Sequence, residues 1–225
     1  GVLSALGIDF DLGPNDIAAR GNFCTVDDNG VITDRRAGRI PTEEGQRLCN
    51  LLKEKIELPG VELFLEPEKE YRFVFVLRGE GLDGHVSDTD PQAVGKKAHV
   101  AQALTLEAEK TAELVREFVR QGNEILKNEH PANSFVLRGF AGMPQWPTFN
   151  EIWGLNSVAI AMYPMYRGVA KVVGMTVLHA AESMSEEIDM LEQYWDEHDF
   201  FFVHMKKTDS YGEDGNFDGK VGVIE

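Results

Sequence analysis

Apolar residues recur with two different periods along the chain, and those periods assign most elements before any chemistry is considered. Phe23-Cys24-Thr25-Val26 and Val31-Ile32-Thr33 flank Asp28-Asn29-Gly30. Asn-Gly suits a two-residue type I′ turn because both residues tolerate positive φ, so a β-hairpin is predicted here. From Thr42 to Glu57, Leu48, Leu51, Leu52 and Ile56 fall at helical spacing, with Glu43 and Glu44 in the first turn where the helix dipole favours acids. Tyr71 to Leu77 is rich in β-branched and aromatic residues and reads as a strand. The longest predicted helix runs from about Leu106 to Lys127 and buries Ala108, Thr111, Val115, Phe118, Gly122 and Ile125 on one face. A strand over Asn133 to Leu137 follows, and Gly142 to Pro147 breaks the pattern.

The last third changes character. Two apolar runs, Val158 to Met162 and Val169 to Leu178, precede a helix predicted from Met184 to Glu197, whose start carries the capping-box pair Ser183 and Glu186. The strand Asp199 to His204 is apolar on both faces, the pattern of a strand covered by helices on each side. Strand, helix and strand in this order imply a parallel α/β layer. The fold class is therefore α/β, with a mixed α/β unit over about residues 15–150 and part of a parallel-sheet unit over 151–225. Residues 1–14 end in the turn formers Gly13-Pro14-Asn15-Asp16 and look like a segment of something larger.

Composition narrows the function. A chain of 225 residues, 43% hydrophobic and 27% charged, can bury a substantial core. Its formal net charge of −16 repels polyanions, which argues against nucleic acid and anionic membrane surfaces as partners. A small anion is still accessible to a local arginine cluster, because salt screens the distant acidic background beyond about 8 Å. No run approaches the roughly 20 apolar residues of a membrane span, and no basic-then-apolar leader pattern is present, so a cytoplasmic location is expected. Cys24 and Cys49 lack metal or redox spacing and are expected as two buried thiols.

Two constellations carry chemistry. The first is Thr33-Asp34-Arg35-Arg36-Ala37-Gly38-Arg39. A register set by the Asn29-Gly30 turn pairs Cys24 with Arg35, Asn22 with Ala37 and Arg20 with Arg39, and alternation then places Arg20, Asn22, Arg35 and Arg39 on one face. Opposed like charges destabilise unless an anion sits between them, and guanidinium forks suit phosphate and carboxylate. The competing reading is a solvated basic strip partly neutralised by Asp34. The second constellation lies beyond the last strand, where Asp209 is followed four residues on by Glu213. Ligands bind beyond the carboxyl ends of strands in open α/β sheets, and hard cations take carboxylate oxygens. The alternative is an acidic, glycine-rich turn exposed to water. The histidines show no ligand spacing, and His204, on a predicted buried strand, is expected as a satisfied core residue.

The order of several segments resembles the archaeal-type cofactor-independent phosphoglycerate mutases. They include Asp16-Ile17-Ala18-Ala19-Arg20-Gly21-Asn22-Phe23, Asp34-Arg35-Arg36-Ala37-Gly38-Arg39-Ile40, Tyr71-Arg72, Asp88-Thr89-Asp90-Pro91, His130-Pro131-Ala132-Asn133, Leu137-Arg138-Gly139 and Phe202-Val203-His204-Met205-Lys206. The resemblance implies the alkaline phosphatase superfamily: a metal-bearing parallel-sheet core with an inserted α/β domain over the substrate. It implies an isomerase interconverting 3-phosphoglycerate and 2-phosphoglycerate in glycolysis and gluconeogenesis, through a phosphoserine and without 2,3-bisphosphoglycerate. Two divalent metals, manganese or magnesium, would activate the nucleophile.

By that resemblance, Arg20, Asn22, Asp34, Arg35, Arg39 and Arg138 are substrate-binding residues, Asp209 is a metal ligand, and Glu213 stands where the family usually has histidine. The nucleophilic serine would precede Gly1 and further metal ligands would follow Glu225, so the chain alone is expected to be catalytically incomplete; Ser4 does not match the nucleophile's motif. Two rivals stay open: another metal-dependent phosphoryl-transfer enzyme of the superfamily, or a non-enzymatic anion-binding module.

Overall fold

The computed structural model describes residues 1–181 and 183–225. These fall into two units, one made of Gly1–Ala5 with Asp11–Pro144 and the other of Leu6–Phe10 with Gln145–Glu225. A short helix α1, Val2–Gly7, opens the chain.

The first unit is organised by the 11-residue strand β1, Asp16–Val26. It pairs antiparallel with β2 (Ile32–Asp34), β4 (Arg72–Arg78) and β5 (Ser134–Ala141), while β3 (Glu62–Lys69) pairs β4 on the outside. Alternation gives this sheet two unlike faces. Ala19, Gly21 and Phe23 of β1 join Phe73, Phe75, Leu77, Phe135 and Leu137 in one apolar core, which the helices α2 (Thr42–Lys55) and α3 (Glu109–Leu126) cover with Leu48, Leu52, Val115 and Phe118. Each such side chain contributes about 1.5–3 kcal/mol when fully buried. Gly21 is a position only glycine fits, since a Cβ there would stand 2.1 Å from the Phe73 ring. That ring crosses β1 to meet Phe23 at 4.6 Å and Phe135 at 5.9 Å between centroids.

The second unit holds a parallel sheet of β6 (Ser157–Ala161), β7 (Thr176–Val177) and β8 (Phe200–His204), in the order β7-β6-β8. Helix α4 (Phe149–Trp153) precedes β6. Helix α5 (Pro164–Val172) links β6 to β7, and α6 (Met184–Gln193) links β7 to β8. The Ser183 hydroxyl accepts a hydrogen bond from the Glu186 N–H at the start of α6, as its position predicts. Helices α7 (Lys206–Glu213) and α8 (Phe217–Ile224) complete the order.

Two expectations need correction. The hairpin turn is not type I′, because Gly30 has positive φ and Asn29 does not. The Asp27 carboxylate accepts from the Asn29 and Val31 N–H groups and closes a longer loop, whose cost is a register shift between Thr25 and Val26. Strand β8 is less buried than its pattern predicts within these 225 residues: all five of its residues are half-buried, whereas all five of β6 are buried. Among the described strands β6 lies between β7 and β8, which gives it a neighbour on each side.

Candidate functional site

The polar face of the first sheet is built by cross-strand pairing. Arg20 lies directly opposite Arg138 on β5, and Asn22 lies opposite Arg72 on β4, so these four share a face with one another. Arg20 and Arg138 are a directly opposed pair of like charges, which a protein retains at a cost unless an anion comes between them. Arg35 joins them through Asp90, whose carboxylate is fully buried and accepts from the Arg35 guanidinium at 2.9 Å, with Arg138 at 3.9 Å. The other oxygen of Asp90 accepts from the Gln92 N–H. Neighbouring bonds anchor the same loop: Asp88 accepts from the Gly139 N–H, and the Thr89 hydroxyl accepts from the Leu137 N–H.

Arg20 is different from its neighbours, because its guanidinium makes no hydrogen bond or ion pair among the described residues, and its Nε is buried. The Asn22 Oδ1 is likewise buried without a donor. Buried polar atoms in native proteins nearly always have partners, so two orphans side by side mark a place for a ligand. The available chemistry is bidentate recognition of a small anion by converging guanidinium groups.

The hairpin register accounts for only part of this. Thr25 opposite Asp34 is the predicted register, but β2 ends there. Asp34 then accepts from the Arg36 and Gly38 N–H groups and curls the chain into a 3-10 turn over Ala37–Arg39. Asn22 consequently does not pair with Ala37, nor Arg20 with Arg39, and Arg39 is exposed on that turn rather than on the sheet face. Asp34 shapes the loop, and Arg35 reaches the cluster by way of Asp90. Ala37 and Arg39 both hold positive φ, a strained backbone of the kind found at ligand clamps. Asp90 and Arg72 were not singled out by pattern reasoning. Their only signal was membership of the matched segments Asp88-Thr89-Asp90-Pro91 and Tyr71-Arg72.

The second constellation lies on α7 rather than at the strand end. Asp209 stands in the first turn of that helix, five residues beyond His204, and Glu213 follows on the same helix face. Lys206 donates to the Asp209 carboxylate and holds it below the usual range, and both carboxylates are exposed. Their oxygens suit a hard divalent cation in chemistry but supply a fraction of the six or so ligands such an ion takes. Among the described residues no group of three or more metal-binding side chains forms. His204 is half-buried and stacks on Tyr166 at 3.5 Å between centroids, while its Nδ1 is buried without a hydrogen bond, so it is not the satisfied core histidine expected. Burial chiefly, and then Lys206, push its pKa down.

The geometry defines a mixed α/β protein with a sheet face rich in guanidinium groups. The chain belongs to the family of 2,3-bisphosphoglycerate-independent phosphoglycerate mutases, whose family model matches residues 1–133. Over its whole length it is 48% identical to a "Probable 2,3-bisphosphoglycerate-independent phosphoglycerate mutase" of Aquifex aeolicus, covering 58% of that protein. A relative of the same name from Thermotoga neapolitana is also 48% identical over the whole chain, with 56% of its own length covered. Among solved structures, the cofactor-independent phosphoglycerate mutase of Thermoplasma acidophilum superposes with a TM-score of 0.64 at 25% identity, covering 91% of this chain and 58% of that one. A Pyrococcus horikoshii protein shares the fold at a TM-score of 0.73 and 23% identity, over 100% of this chain and 55% of its own. The chain thus spans a little over half the length of the relatives it matches.

Proposed function

We propose that the full-length protein interconverts 3-phosphoglycerate and 2-phosphoglycerate without 2,3-bisphosphoglycerate, and that the first unit is its substrate-binding domain. The observation that carries this reading is the unpartnered Arg20 guanidinium facing Arg138 across β1 and β5, beside Asn22 and the Arg35–Asp90 pair. A phosphoglycerate brings two anionic groups to a face where the Arg20 guanidinium has no counter-charge in contact among the described residues. Arg20, Arg35 and Arg138 grip carboxylate and phosphate, Asp34 holds the Arg35 loop in shape, and Asn22 supplies an acceptor. Arg39, exposed on its turn, reaches the substrate only from the rim.

The second unit is assigned to the metal-binding core, with Asp209 and Glu213 as two of the ligands for manganese or magnesium. When bound, such an ion lowers the pKa of an attacking oxygen and neutralises charge developing on the phosphoryl group. The residues of this chain orient the glycerate while a serine outside residues 1–225 takes up the phosphoryl group, a covalent step that positioning alone does not replace. The place of action is the cytoplasm, in glycolysis and gluconeogenesis. Among the described residues no helix is long and apolar enough to cross a membrane.

The test is a coupled assay of the full-length protein with manganese and 3-phosphoglycerate, followed by 31P NMR of the product. Formation of 2-phosphoglycerate is expected, and Arg20→Ala lowers kcat/KM without a comparable loss of stability, because among the described residues it leaves no buried partner unpaired. Release of inorganic phosphate as the sole product replaces the mutase reading with a phosphatase.

A further inference from the structure

The guanidinium face carries two carboxylates in opposite states. Asp90 is saturated, with Arg35 on one oxygen, the Gln92 N–H on the other and Arg138 nearby. Glu68 is not, since its Oε2 is buried and meets no hydrogen-bond donor among the described residues. Its placement follows from an irregularity: the β3–β4 ladder shifts between Pro67 and Lys69, which inserts Glu68 beside the pair Lys69–Arg72. Arg72 in turn lies opposite Asn22.

The orphan atoms on this face divide into two kinds. Arg20 Nε and Arg35 Nε are donors, and the oxygens of an anion satisfy them. Glu68 Oε2 and Asn22 Oδ1 are acceptors, which neither a carboxylate nor a fully ionised phosphate can serve. A ligand that completes the face therefore carries an O–H as well as its negative charges.

We propose that Glu68 is a specificity-determining residue that accepts a hydrogen bond from the free hydroxyl of the bound hydroxy-acid, with Asn22 Oδ1 as the neighbouring acceptor. The proposal rests on the phosphoglycerate reading above. Either phosphoglycerate isomer has one free hydroxyl and the dephosphorylated glycerate has two, so each of these ligands brings at least one O–H donor. A site that hydrogen-bonds a substrate hydroxyl rejects the analogue lacking it, because the buried acceptor is left unpaired.

The experiment is calorimetric titration of the full-length protein, with manganese present, using 3-phosphoglycerate and 3-phosphooxypropanoate, which has hydrogen in place of the 2-hydroxyl. Wild type is expected to prefer 3-phosphoglycerate by about 10- to 100-fold. Glu68→Ala abolishes that preference while still binding both anions, and Glu68→Gln, which keeps an acceptor oxygen, retains most of it. Glu68→Ala discriminating as wild type does, or wild type binding both ligands equally, overturns the hydroxyl assignment and leaves the anion site standing. Wild type binding neither ligand overturns the phosphoglycerate reading and this inference with it.

Discussion

In the first unit Arg20 sits half-buried on a sheet face with no hydrogen-bond or ion-pair partner among the described residues, whereas in the second unit Asp209 sits on an exposed helix already paired with Lys206. The first arrangement carries the cost of opposed like charges, and the second carries almost none. The difference follows from how each is built. The arginine face is assembled by four strands and braced from behind by a core of interlocking phenylalanines, with Phe118 meeting Phe75 at 4.7 Å and Phe135 at 5.0 Å. The carboxylates Asp209 and Glu213 depend on one eight-residue helix, none of whose residues is buried. A face braced by a core can hold like charges together, and an exposed helix cannot force a ligand set to converge.

The largest effect is expected where the bracing is removed. Phe73→Ala deletes a fully buried ring packed on Phe23 and Phe135 and should cost about 3–5 kcal/mol in urea denaturation of the full-length protein. A loss below about 1 kcal/mol breaks the claim that this core supports the arginine face. Next comes Arg20→Ala, which removes an unpartnered charge beside Arg138. Stability is expected to hold or rise, while 3-phosphoglycerate binding falls by about 10- to 100-fold, the loss of a charge-assisted contact worth about 1.5–3 kcal/mol. Reduced stability with unchanged affinity assigns Arg20 a structural role.

The second unit also buries a charge without full pairing, which sharpens the comparison. Glu187 on α6 is fully buried, and neither oxygen makes a full hydrogen bond among the described residues. Burial pushes its pKa up, opposed by the Met162 backbone. Because the folded pKa exceeds the unfolded one, the folded state binds the proton more tightly. Stability from this group is therefore present below the ordinary glutamate range and is lost as pH rises through the folded pKa. Glu187→Gln should stabilise the protein by about 1–3 kcal/mol at neutral pH and by little at pH 4, read from thermal melts at both values. Equal effects at the two pH values show that Glu187 does not titrate in this window.

Periodicity made α2 and α3 legible, since both bury one stripe against one sheet: Ala108, Thr111, Val115, Phe118 and Gly122 are buried as their spacing requires, and Ile125 at the end of the stripe is half-buried. Strand β3 was hidden by its composition: Glu62-Leu63-Phe64-Leu65-Glu66-Pro67-Glu68-Lys69 carries a proline and four charges, which an outer strand tolerates and a central one does not. Arg20 and Asn22 on one face followed from alternation alone. Their partners did not, because Arg138 and Asp90 are more than 60 residues away in sequence and no local pattern encodes such pairings. Arg39 was misplaced for a local reason that is equally invisible to periodicity: the Asp34 carboxylate outcompetes the strand for the Arg36 and Gly38 N–H groups.

The smallest effect on stability, and the most direct probe of the contrast between the units, belongs to Lys206→Met. Lys206 depresses the Asp209 pKa, so the pair adds stability above the ordinary aspartate range that is lost as pH falls through the lowered value. Both partners are solvated and salt screens them, so thermal melts of the full-length variant should match wild type at neutral pH. Metal binding should respond in the other direction. A cation approaching Asp209 must displace the Lys206 ammonium, and a methionine of similar length removes that competitor without adding a ligand for manganese. Calorimetry with manganese chloride is expected to give tighter binding in Lys206→Met and weaker binding in Asp209→Asn. Weaker binding in both variants would mean that the Lys206–Asp209 contact orients the carboxylate for the metal instead of blocking it, and the second unit would then be preorganised in the same sense as the first.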